Sequence, residues 1–536
     1  MNGSVNDQPD LDSATSQPIQ RNRIRAPRSH GEALVVPPPA EISQLWNRNL
    51  QTIQDHNFLV NGQPISQLRS EARNHLIFSA QSYSSQYCDG YDLDITPTTG
   101  VIMSGHQPRL FHPGVWFKNW ALSDLGAQFG ATAINLIVDN DLCGHPTISV
   151  PKILGEWRAG IVTVAYDKAG GNIPFENCKI QDPEMFESFS RRVSAAISPV
   201  INSPLVQPLW QHALNYCDPQ KRLGHTLAAA RHRLEFDLGL RTYEIPLSEV
   251  CRSEPFAHFL IEISNRIEEF QQIYNGSLLE YRDVNRIRSN AHPVPALDQV
   301  DEWFEIPFWV WTDENPMRRA LFVRNLGKQI EYSDRGEWSL ILSSEDAVNQ
   351  ITELSKLGIA VRPRALMTTM YSRTFLSDLF IHGIGGAKYD QLTDAIIARF
   401  WSIAPAAYLT ATATFTLPFD FEPVTSSDIT ADSVRLREME FHPEQFVDAN
   451  DESAQVLIKE KQDWIAFSSD RKQRHDAITR CNESLQKLLL DQARKTKAAI
   501  ENKREQLAYS RILNSREYSF CCFSQERCEA ISTFLR

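Results

Sequence analysis

At 536 residues and 61.0 kDa the chain is too long for one ordinary hydrophobic core and long enough for two or three. Hydrophobic residues make up 42% and charged residues 22%, so most of it should fold as globular protein. The 66 acidic residues outnumber the 54 basic ones, a net charge of −12, which argues against wholesale nucleic-acid binding and leaves room only for a local basic pocket.

The N-terminus, MNGSVNDQPDLD, has neither a basic region nor an apolar one, so no secretory signal is expected. Nowhere do about eighteen apolar residues run together, so no membrane span is expected and the cytoplasm is the default compartment. Residues 1–40, rich in Ser, Gln, Asn, Asp and Pro, read as a disordered tail. Helical spacing follows in Ile42–Ile53 and Ile65–Tyr83. Gly100–Ser104 is a short apolar run suited to a buried strand, and Gly105–Pro113 an irregular turn. Gly114–Gln128 has helical spacing, closed by Gly130, and Ala133–Val138 is a second buried strand. Strand, helix and strand with short joins predict a βαβ unit with parallel strands.

Further helices are expected at Pro183–Ala196, Leu205–Asn215, Gly224–Leu238 and Pro255–Tyr274, within a mixed stretch spanning about 155–300. Trp303–Trp311 reads as a strand buried on both faces. Residues 337–342 and 358–361 read as strands around a helix at Ser344–Leu357, a second βαβ return. From Asp451 to Ser510 the composition turns to Lys, Glu, Gln, Asp and Arg, with Ile478, Cys481, Leu485 and Leu488 as a seam. This predicts an antiparallel coiled-coil arm that turns at Ser468–Asp476 and pairs two copies through residues 455–505, followed by a tail, 511–536, that packs on the core.

Ligands of parallel sheets bind beyond the carboxyl ends of strands, where helix N-termini favour anions. The turn Ser104-Gly105-His106-Gln107 lies there, with His112 beyond it: the glycine admits close approach, and the polar side chains can donate to phosphate or carboxylate. Asp139-Asn140-Asp141 follows the second strand and could hydrogen-bond a ribose or hold Mg²⁺ or Mn²⁺, or serve only as a solvated turn. His382-Gly383-Ile384-Gly385-Gly386 is a glycine-rich turn with Lys388 behind it, but neither a dinucleotide fingerprint nor a P-loop. Arg362 and Arg364, at a strand end, suit bidentate anion binding or surface ion pairs. The nine cysteines include no C-x-x-C pair and no partnered nucleophile, so they read as buried apolar groups in a reducing compartment. There is no H-E-x-x-H, and the aromatic run around Trp309 reads as core.

These motifs, in this order, resemble the bacillithiol-biosynthesis cysteine-adding enzyme family (BshC). Its T-G-Q-Q-x-G-L turn stands here as Ser104-Gly105-His106-Gln107-Pro108-Arg109-Leu110, with Pro113-Gly114-Val115-Trp116 in the place of its Gly-Pro-x-Tyr. Its E-D-H-D cluster corresponds to Asp139-Asn140-Asp141, its R-P to Arg362-Pro363, and its G-G-P-G-E-x-x-Y to His382–Tyr389. A helical arm and an R-x-x-N, here Arg511–Asn514, complete the likeness after residue 40. The resemblance implies a Rossmann-like catalytic core with inserted connecting segments over about 155–300, dimerisation through the coiled coil, and joining of cysteine to a glucosamine–malate conjugate. His106 replaces the family's first Gln, His382 and Ile384 replace Gly and Pro, and Gly386 replaces Glu. The substitutions fall in ligand-facing turns, which marks a divergent branch whose fold carries over better than its substrate.

The resulting expectation is an α/β ligase or transferase with a Rossmann-like parallel-sheet core over 41–450, acting on a small molecule, with ATP or ADP as the candidate cofactor. The sequence identifies no general base. Two rivals remain: a metal-dependent nucleotide-sugar transferase using Asp139 and Asp141, and a non-catalytic scaffold acting through its arm.

Overall fold

The computed structural model describes residues 19–21, 24–88, 100–198, 200–288, 294–418, 424–467 and 469–529. Its centre is a six-stranded sheet. Across it the strands run Ala33–Val36, Leu409–Ala413, Leu379–His382, Val101–His106, Thr132–Ile137 and Tyr243–Pro246. All neighbours pair in parallel except Ala33–Val36, which lies antiparallel against Leu409–Ala413. After the edge strand Ala33–Val36, the parallel strands begin in the middle with Val101–His106, build outward to Tyr243–Pro246, then cross back to Leu379–His382 and Leu409–Ala413 on the other side.

The expected βαβ unit forms, and its local chemistry explains why. All six residues of Thr132–Ile137 are buried, as a parallel strand covered on both faces requires. The helix Pro113–Phe129 opens with proline in its first turn and with His112 Nδ1 accepting the Gly114 N–H, and it closes at Gly130 in the left-handed region, φ 58°. Successive strand residues point to opposite faces, so Val101, Met103, Ile134 and Leu136 join one core cluster while Ile102 and Ala133 join the other. The first cluster also contains Leu392 and Ile396 of the helix Ile384–Trp401; the second contains Trp116 and Phe117 of Pro113–Phe129. These two helices thus cover opposite faces of the sheet.

Several expectations need correction. The edge strand Tyr243–Pro246 lies inside the segment read as an insertion; its four residues are fully buried but too few to show a period. Trp303–Thr312 does form a long strand, but in a separate antiparallel sheet. Ser339–Ser343 and Ile359–Pro363 belong to that same sheet without pairing to each other, so they are no βαβ return. The helix expected over Pro255–Tyr274 breaks at Arg266 into Glu254–Asn265 and Ile267–Asn285.

Residues 1–18, 22 and 23 of the expected N-terminal tail lie outside the described residues; Ala33–Val36, within its bounds, is a sheet strand. Near the other end stand four helices, Ser426–Phe441, Glu452–Phe467, Arg471–Leu488 and Leu490–Leu513. The first packs on the last and the second on the third. In Arg471–Leu488 the buried residues are Ala477, Cys481 and Leu485, not Ile478 and Leu488, and Leu488 is exposed. The tail beyond returns to the core, where the Phe520 N–H donates to Phe111 O at 2.8 Å and its ring lies 4.7 Å from Trp116. No helix among the described residues is long and apolar enough to cross a membrane.

Candidate functional site

The strand order reverses between Val101–His106 and Leu379–His382. The chain leaves these two neighbours into helices on opposite faces, which opens a crevice at their carboxyl ends. Gly105, His106 and His112 border it from one side; His382, Gly383, Gly385 and Gly386 border it from the other, at the start of Ile384–Trp401.

The main occupant is a residue that the sequence reading passed over. Lys118 sits in a helix whose neighbours Trp116, Phe117 and Trp120 are all core, and it is only 4% exposed. Its Nζ donates to Gly105 O at 2.8 Å, and no carboxylate pairs with it among the described residues. Burial, reinforced by the Arg231 charge, lowers its pKa from 10.5 to about 7. Its charge reaches His106, His112 and His382.

His106 packs edge-on against Phe111, 4.9 Å between ring centres, with Nδ1 3.2 Å from Gln107 O. Burial and then Lys118 hold its pKa down to about 3, so the ring is neutral. At His112, burial and the charges of Arg516 and Lys118 outweigh the opposing pull of Glu517 and lower its pKa. Arg516 arrives from the C-terminal tail, its Nη2 3.5 Å from Thr412 Oγ1. The convergence requires glycine at 114: a Cβ there would stand 2.5 Å from Ala413 O and 2.8 Å from Arg516 Nη2. The crevice thus gathers Lys118 and Arg516, with the largely exposed Glu517 beside Arg516.

The other predicted residues are employed differently. Ser104 Oγ donates to Ile381 O at 3.0 Å, stapling the two central strands. Gln107 stays half-buried in its turn, and Lys388 is exposed on the outer side of its helix. The Asp139 turn is next to the His106 turn, since His106 stands opposite Ile137, but its carboxylate does not enter the crevice. Asp139 is fully buried; it accepts from Ser248 N at 3.1 Å and Ser248 Oγ at 2.6 Å and lies 3.4 Å from His225. Burial would raise its pKa, but the hydrogen bonding and charge of His225 and the Ser248 hydroxyl outweigh that and hold it below the usual range.

Asn140 donates to Pro363 O at 2.7 Å, and Asp141 Oδ1 accepts from its own chain at Leu142 N and from Arg318. Arg362 grips Glu176 through two bonds of 2.6 and 3.0 Å, and Arg364 donates to Glu305 at 2.6 Å. Beside the open crevice, the Asp139 turn and the two arginines thus form a closed network of internal pairs. Groups of three or more metal-ligating side chains are absent among the described residues.

Residue type and position relative to strand ends brought the histidines and glycines within reach of sequence reasoning. Lys118 carried only one weak signal, a lone cation on the apolar face of a helix, and Arg516 carried none. The chain matches no protein-family model and no curated protein.

Proposed function

We propose that this chain is a cytoplasmic enzyme of the BshC type, a ligase or transferase whose crevice binds a nucleotide or another anionic small molecule. The reaction we favour joins an amino acid, cysteine in the family it resembles, to the amine of an amino-sugar conjugate. The observation that carries the reading is Lys118, a buried cation with no carboxylate partner among the described residues, at the point where the strand order reverses. Burying an ammonium is costly unless an anion compensates it, and an incoming phosphate or carboxylate would do so. The order of the five parallel strands, counted outward from the middle, supports a Rossmann-like reading of the sheet, and sheets of that kind bind ligands at this position. The first turn of Ile384–Trp401, with Gly385 and Gly386 exposed, offers backbone N–H groups to the same anion. In such a site catalysis rests on positioning and electrostatic stabilisation. We favour this reading over the nucleotide-sugar alternative because Asp139 is paired with Ser248 and His225, and Asp141 Oδ1 with Arg318.

ATP and ADP are the first ligands to test. At 100 times its dissociation constant either should stabilise the protein by about 2.7 kcal/mol, read as a rise in melting temperature. No stabilisation by ATP, ADP, inorganic phosphate or dicarboxylates would refute the reading. We further propose a homodimer through residues 455–505, supported by the exposed Val456, Ile465, Leu488 and Leu490. Light scattering should find a dimer that becomes a monomer when those residues are deleted; a monomeric full-length protein at micromolar concentration refutes it.

A further inference from the structure

His382 ends its strand at the crevice with its ring 5% exposed, 4.6 Å from Phe380 and 5.1 Å edge-on from Tyr408. Its Nε2 lies 2.7 Å from Asp390 Oδ2. Asp390 is itself pinned by Arg373 Nη1 at 2.6 Å, and Arg373 also binds Asp394 at 2.6 Å and the Ala406 carbonyl. A carboxylate held by a guanidinium remains ionised and can only accept, so the hydrogen between His382 and Asp390 belongs to Nε2. A neutral imidazole carries one N–H, which leaves a lone pair on Nδ1.

That nitrogen has no hydrogen-bond partner among the described residues, and the adjacent chain leaves it uncovered. A Cβ at Gly386 would stand 2.7 Å from Nδ1, so any larger residue there would cap it. The Lys118 stem comes within 3.9 Å of where a Cβ at Gly383 would be, which sets the cation beside the same opening. Among the charged groups around the ring, Asp390 favours protonation of His382, whereas Arg373 and Lys118 oppose it.

We infer that His382 is the general base of this crevice, with Nδ1 as the accepting atom and Asp390 as the positioning residue; the assignment rests on the proposed reading that the crevice receives an amine nucleophile beside an anionic partner. An N–H bond of the amine breaks and its proton moves to Nδ1; the electron pair left on nitrogen forms the new C–N bond at the carboxyl carbon of a phosphate-activated amino acid, as the bond from that carbon to the phosphate oxygen breaks and the phosphate leaves with that pair. The charge that appears on the imidazolium is countered by Asp390. The glycine that replaces a side chain at position 386 is then a requirement of the chemistry, since it keeps Nδ1 open to substrate.

Diethyl pyrocarbonate, a small electrophile that acylates unprotonated imidazole nitrogen, tests this on the full-length protein at neutral pH. Peptide mass analysis should find His382 modified, with modification lost in Gly386→Ala and suppressed by saturating ADP. Nitrogen NMR should show Nδ1 unprotonated in the parent and the tautomer redistributed in Asp390→Asn. Should that variant not fold, the parent's tautomer decides alone. An unmodified His382 while the exposed His145 reacts, or an N–H on Nδ1, overturns the inference. If ADP neither binds nor protects, yet His382 reacts and Nδ1 is unprotonated, the anion reading fails and the assignment of His382 as base stands. In an amine-condensation assay, His382→Gln should lower kcat by about 10²–10⁴ with ADP affinity retained; unchanged kcat there also overturns it.

Discussion

Replacing Lys118 by methionine should stabilise the protein while abolishing its anion binding, a combination that separates a binding cation from a structural one. Lys118 is 4% exposed, and its pKa falls from 10.5 to about 7 on folding. Above pH 10.5 the amine is neutral in both states and costs nothing. As pH falls toward 7 the unfolded chain takes up the proton and the folded one resists, so folding loses stability, at about 1.36 kcal/mol for each pH unit. At neutral pH the penalty amounts to about 4 kcal/mol by this reckoning, an upper bound because buried sites relax and admit water. Methionine has similar length and no charge, so it removes the penalty and forfeits the bond to Gly105 O, which is worth about 1 kcal/mol. The expected net gain is roughly 2–3 kcal/mol near pH 7. Denaturation of parent and variant across pH is the assay: the variant's advantage should shrink as pH rises from 7 toward 10.5 and reverse near the upper end. ADP titration at neutral pH should find no binding to the variant. A variant less stable than the parent at every pH would make Lys118 a structural cation, and one that binds ADP as the parent does would place the anion site elsewhere.

Arg362→Ala should cost about 3–5 kcal/mol, because it strands the buried Glu176 carboxylate. Burial already raises the Glu176 pKa, so in denaturant melts the deficit should be larger at alkaline pH, where that group must be charged, than at mildly acidic pH. Arg516→Ala should weaken ADP binding about tenfold or more by calorimetry with little change in melting temperature, since its side chain is 25% exposed and makes one long hydrogen bond. Asp141→Ala should leave that affinity unchanged; the opposite ranking would move the site to the Asp139 turn. Thiol reagents should label chiefly Cys217, the exposed cysteine, and leave ADP binding intact; loss of binding on labelling a buried cysteine would contradict this.

How much of this was legible in the sequence depended on the range of the interactions concerned. The βαβ unit could be read because its signals are local: four apolar residues among the six of Thr132–Ile137, proline at the start of a helix and glycine beyond its end. The same local logic found the polar turns at His106 and His382, which occupy strand ends whatever the rest of the chain does. It failed where identity depends on a distant partner. Tyr243–Pro246 is a strand because Thr132–Ile137 offers it an edge, with Glu244 opposite Asn135, and four residues alone cannot announce that. Ser339–Ser343 and Ile359–Pro363 have the sequence of any buried strand, and only their neighbours make the sheet antiparallel.

The site divides along the same line. Residue type and strand position picked out the side chains able to bind an anion at the strand ends. Which of them stayed free depended on long-range packing, because a charge is spent once an opposite charge is packed against it. Arg362 found Glu176, 186 positions away, and Arg364 found Glu305, 59 positions away, which closed both to ligands. Asp139 found Ser248 across 109 positions. Among the described residues Lys118 found only a backbone carbonyl 13 positions away, and that missing counter-charge, invisible in one dimension, is the ground for proposing an anion there.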